Sequence, residues 1–173
     1  MIVVSIQSKK VIEQLVRNGK YTVNNDAPIS DIAAKPYEFM MKHYGYKHRP
    51  IFMCPVGYKA NFGCFCDVGS SALLIMNIPD RYCKIQDYYG WSDFIYFMDA
   101  PFEYQPFSGC KDVSSFGRYV LDMYKGGFGK NMNTVYQVTT QFLLKSWIKG
   151  IKDIDSNFID MYFNNGGKYV LKL

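Results

Sequence analysis

The segment NTVYQVTTQFLLKSWI, Asn133–Ile148, carries two glutamines, Gln137 and Gln141. On an extended chain side chains alternate between faces. Val135, Gln137, Thr139, Gln141 and Leu143 then fall on one side, and Tyr136, Val138, Thr140, Phe142 and Leu144 on the other. The pattern predicts a strand with one mostly polar, wet face and one mostly apolar face. An amide offers an acceptor and donors but no charge, so these glutamines can orient a ligand; they cannot stabilise developing positive charge as a carboxylate would. No Asp or Glu occurs between Asp122 and Asp153, so the strand itself supplies no carboxylate.

Other residues with chemical potential are less organised. His43 and His48 are the only histidines, and neither has a sequence neighbour that marks it as a base with an orienting partner. They lie in Lys42–Arg49, where positive charge alternates with rings, a mixture able to hold phosphates and stacked bases but small as an electrostatic footprint. Cys54 sits in an apolar run and Cys83 follows Ile78–Tyr82, which predicts small buried residues rather than nucleophiles. Cys64 and Cys66, with Cys83, His43 or His48, fit poorly to a zinc site because C-x-C is not the C-x2-C knuckle. The glycines of Lys125–Asn131 lack the G-x-x-x-x-G-K-[ST] order and do not directly follow a strand, which excludes a phosphate-binding P-loop.

The elements that must position these groups are short. Met1–Ile6 reads as a strand; Ser8 can cap a helix running to about Asn18 with Val11, Ile12, Leu15 and Val16 on one stripe, and Gly19 supplies its left-handed stop. A second helix is expected from Pro36 to Tyr44, with Ser30–Lys35 as a separate turn before it. Pro50–Val56 and Ala72–Pro79 read as buried strands, separated by a loop or hairpin. Asp87 can cap a helix carrying Trp91, Phe94, Ile95 and Met98, and Ser114 or Ser115 can begin another with Phe116, Tyr119, Val120 and Met123 inward. Asp99–Asp112, with two prolines and a glycine, reads as an irregular surface loop. The tail predicts a short helix, an Asn164–Gly167 turn and a final strand. Helices and strands intermingle without β-α-β alternation, which predicts a single α+β domain over 1–173 with a mixed or mainly antiparallel sheet and several short flanking helices.

Bulk properties agree with one ordinary globular domain. The 173 residues are 49% hydrophobic and 20% charged, enough for a sizeable core and unlike disordered chains. Aromatic residues reach 17%, so rings must build much of the interior. The net charge of +5 is spread along the chain rather than run together, which permits nucleic acid without implying it. The apolar start is too short for a leader and no run is long enough to span a bilayer, so a cytoplasmic protein with reduced thiols and no membrane partner is expected.

Four segments, Ser5–Tyr21, Arg49–Cys54, Ala72–Trp91 and Tyr136–Ile148, resemble in order the bacterial domain-of-unknown-function family 3841 and are spread across residues 3 to 150. Residues 151–173 would then be a C-terminal extension. The matching positions are Gln7, Pro50, Pro79, Asp80, Asp87, Trp91, Gln137 and Trp147. Ser92 stands where that family often has a histidine, and the acidic residue it has near the end of the late strand is missing. The opening strand, polar residue and helix ending in Arg17–Tyr21 also look like the start of ADP-ribosyltransferase folds. That likeness implies a bacterial or phage nucleotide-binding domain with NAD as cofactor, its cleft lined by Gln7, Tyr88, Gln137 and Gln141. A catalytic acid would have to come from Glu103 or Asp99 in the irregular loop; otherwise the site binds without catalysing. Two other readings have sequence support: a protein partner meeting Phe102, Tyr104 and Phe107 of the aromatic loop, and RNA meeting Lys42–Arg49.

Overall fold

The computed structural model describes residues 1–61, 69–99, 110–131, 133–155 and 169–170. Strand β1 (Ile2–Ser8) passes directly into helix α1 (Lys9–Asn18). The Ser8 hydroxyl accepts from the Val11 amide, and Gly19 closes the helix at φ 76°, both as the sequence indicates. Ile12 and Leu15 are buried, whereas Val16 faces outward. After β2 (Lys20–Tyr21), one continuous helix, α2 (Asp31–Tyr44), replaces the expected turn and separate helix. Pro36 is interior and buried. Its missing N–H frees only the Ile32 carbonyl in the exposed first turn, so the helix tolerates it.

Strands β3 (Ile51–Pro55), β4 (Lys59–Ala60) and β5 (Ser71–Asn77) follow. Next comes β6 (Lys84–Asp87), a strand the hydropathy pattern does not announce, which leads straight into α3 (Tyr88–Asp99). Asp87 caps α3 by accepting from the Gly90 amide at 3.0 Å. Helix α4 (Val113–Asp122) is capped by Asp112 instead of a serine: its carboxylate accepts from the Ser115 amide. The buried face of α4 is Phe116, Gly117, Val120 and Leu121, and Tyr119 is 55% exposed, not inward. The remaining strands are β7 (Tyr136–Thr140), β8 (Leu143–Leu144), β9 (Ile148–Asp153) and β10 (Tyr169–Val170). Gly150–Asp153 thus extend a strand; the expected tail helix and Asn164–Gly167 turn lie outside the described residues.

Six strands make one sheet in the order β6-β7-β3-β1-β5-β9, with β2–β8 and β4–β10 as small pairs. All these ladders are antiparallel. The domain is therefore α+β with an antiparallel sheet and short helices, the class read from the sequence. On one face Leu15 of α1 packs with Val3, Met53, Leu74, Met76 and Val138. On the other, α2, α3 and α4 meet around Met40, Trp91, Phe94 and Phe116, with Phe52 of β3 packed against them. Strand β7 is covered on both faces, and all five of its residues are buried. The expected wet face does not exist: Gln137 and Thr139 are interior groups that need partners.

Candidate ligand cavity

The ladder between β1 and β3 has only two pairs, Val3↔Pro55 and Val4↔Cys54. β1 nevertheless stays paired to β5 as far as Ser8↔Ser71, and β3 to β7 as far as Ile51↔Thr140. The sheet therefore parts between β1 and β3, and side chains take over where backbone pairing stops. The Ser5 hydroxyl donates across the gap to the Phe52 carbonyl at 2.9 Å. Gln7 Nε2 in turn donates to Ser5 Oγ at 2.8 Å. The Gln7 amide is thus tied, through Ser5, to the β3 backbone.

A cavity of about 380 Å³ opens at this parting, lined by residues of β1, β3, β7, α2 and α3. Gln7, Tyr88 and Gln137 all line it. The wall between them is aromatic. Tyr37 lies 5.4 Å from Phe52 and 6.3 Å from Trp91, ring centre to ring centre. Burial raises the Tyr37 pKa, partly opposed by the charge of Arg49, so its hydroxyl stays protonated and able to donate. Tyr88 begins α3 and is held at the cavity by its amide, which donates to the Val135 carbonyl at 2.9 Å, while Ser92 Oγ donates to its carbonyl.

Gln137 is held from the far side. Across the β6–β7 ladder it stands opposite Gln86, whose Nε2 donates to Gln137 Oε1 at 2.9 Å. Gln86 is wholly buried and Gln137 is 8% exposed. Gln86 Oε1 meets no donor, a loss of about 1–3 kcal/mol for a buried polar atom. The sequence reading misses both Gln86 and Ser5. Lys84–Asp87 is too short for its alternation to stand out, and its end is already used as a helix cap.

The other expected site residues are elsewhere. The strand ends at Thr140, so Gln141 does not share the Gln137 face; its Oε1 accepts from the Lys47 amide at 2.8 Å, outside the cavity. Asp99 is the last residue of α3, and its side chain, like Glu103 and the rings Phe102, Tyr104 and Phe107, lies outside the described residues, as do Cys64 and Cys66. No charged side chain lines the cavity among the described residues. Asp87, across the ladder from Tyr136, is turned to its capping role. Among the described residues no group of three or more His, Cys, Asp or Glu could hold a metal.

Comparison with protein-family models, curated proteins and solved structures finds no match to this chain.

Three side chains of the basic-aromatic segment hold the fold together, while Lys42 and Lys47 are exposed. His43 Nε2 is 3.0 Å from Asp122 Oδ1, linking α2 to α4; the Tyr46 hydroxyl donates to the Thr139 carbonyl and the Arg49 guanidinium to the Ala27 carbonyl. A second cavity, of about 490 Å³, is lined by His43, Asp122 and Cys83 among others. Its composition suggests a thiol nucleophile, but burial, with the charge of Asp80 adding to it, pushes the Cys83 thiol up to about 11. A thiol held protonated at neutral pH is a poor nucleophile. Among the described residues no helix is long and apolar enough to cross a membrane.

Proposed function

We propose that this domain binds NAD or a related nucleotide by its base end in the β1–β3 cavity and does not catalyse transfer from it. The observation that carries the reading is the composition of the lining: amides, hydroxyls and rings, with no charge among the described residues. Rings and a few convergent polar groups suit a planar, neutral heterocycle, and the volume lies at the small end of ligand sites, enough for a base with part of its sugar. Phosphates would remain outside, because burying them without a cation is costly. Of the positions that resemble the family named above, Gln7, Pro50, Trp91 and Gln137 all line this one cavity.

The same composition argues against turnover. Cleavage at an anomeric carbon builds positive charge, and the groups that accelerate it are those that stabilise this charge more in the transition state than in the ground state. Gln137 offers no such charge.

Isothermal titration with NAD and ADP-ribose tests the reading, together with a chromatographic assay for nicotinamide release. Saturable binding without release is expected, and Gln137→Ala should weaken it about tenfold, the value of roughly one well-made hydrogen bond. Absence of binding at millimolar ligand, or steady release of nicotinamide by the native protein, would overturn it.

A further inference from the structure

We infer that Gln86 is a positioning residue of this cavity: it fixes which end of the Gln137 amide faces the ligand, and so sets selectivity for a neutral planar group carrying an acceptor beside a donor. The inference rests on reading the cavity as a base-binding site, and deepens it. Gln86 is fully buried and absent from the lining, so it acts only through its neighbour. Its Nε2 occupies Gln137 Oε1. That leaves Gln137 Nε2, which has no acceptor among the described residues, as the donor available to the cavity.

A glutamine's terminal torsion is soft and two-fold, so without this bond the amide would present either end. Gln7 is set in the complementary sense. Its Nε2 is taken by Ser5 Oγ, itself committed to the Phe52 carbonyl, and Gln7 Oε1 is left as an acceptor. One donor and one acceptor, each anchored through a partner behind it, match a carboxamide or the edge of a nucleobase.

Stability does not account for Gln86. Its Oε1 is buried without a donor; a leucine or methionine would remove that atom but also the donor to Gln137 Oε1, so the two changes offset unless the Gln137 amide turns its oxygen to the cavity. The residue therefore has a signature that a purely structural one lacks: replacing it should cost binding more than folding.

Gln86→Leu and the unbranched Gln86→Met should be titrated with NAD, nicotinamide and adenosine, and melted without ligand. The expected result is an affinity about tenfold weaker, for whichever of these probes the native protein binds, with a melting temperature close to the native value. Native affinity in both variants would overturn the positioning role while leaving the nucleotide reading intact. A fall in melting temperature in both variants, matching the loss of affinity, would assign Gln86 to the core and overturn it equally. If the native protein binds none of the three probes, the nucleotide reading fails and the positioning role falls with it.

Discussion

Burying a primary amide costs free energy unless both its ends find partners, and this protein buries two of them side by side. The Gln86–Gln137 bond meets part of that need, and the Ser5–Gln7 relay does the same on the opposite wall. What chemistry each residue carries is visible in the sequence; whether it faces water, a partner or a cavity is not. Gln137 and Gln141 are identical in type and fall on one face of an ideal strand, yet the chain leaves β7 after Thr140 and sends Gln141 to the Lys47 amide. Cys83 shows the same principle with a reactivity that can be measured. Burial moves its thiol from the ordinary 9.0 to about 11, leaving about a hundredfold less thiolate at any pH below both values. Iodoacetamide at pH 8 should therefore label Cys83 slowly in the folded protein and rapidly in urea, read by peptide mass mapping. Fast labelling of the native protein would contradict the burial.

At the scale of elements, local signals and tertiary packing decide different things. Ser8, Gly19 and Asp87 act where their residue types predict, because capping is a contest within a few residues of chain. Asp112 displaces the serines as the cap of α4, and hydrogen bonds from Ser115 hold its carboxyl below the usual carboxylate range. Pro36 does not divide α2, since its lost bond falls in the exposed first turn while its ring packs inside. Gly117 shows what packing demands of α4. A Cβ placed there would stand 2.5 Å from Phe94 Cε2 and 2.8 Å from Phe39 Cε1, so the absence of a side chain lets α4 approach both α3 and α2. Gly117→Ala gains about 1 kcal/mol of helix propensity and loses about 1–3 kcal/mol to overpacking. Phe94 is fully buried and has little room to yield. The net loss of about 0–2 kcal/mol predicts a fall in Tm of up to about 8 °C by calorimetry for a chain of this size; a higher Tm would mean the rings move aside freely.

For the molecule as a whole, one sheet serves two tasks: β5, between β1 and β9, anchors the core, and the parting of β1 from β3 makes the cavity. Leu74 on β5 has no exposed surface, and Leu74→Ala should cost about 2–5 kcal/mol of a total near 5–15 kcal/mol. Urea unfolding should show a lower midpoint at unchanged slope; a loss under 1 kcal/mol would place Leu74 outside the tightly packed interior. The sequence by itself determined the α+β class, the starts of α1 and α3, the strand nature of the Met1–Ile6 and Ala72–Pro79 runs, and the lack of a carboxylate on β7. These follow from periodicity, capping and composition, which act over a few residues. Only the tertiary structure decided that β7 is covered on both faces, that Lys84–Asp87 joins the sheet beside it, that Gln86 holds Gln137, and that Gln7 meets the same cavity from β1. Each of these brings together residues tens of positions apart, and strand order and register, not local pattern, choose such neighbours.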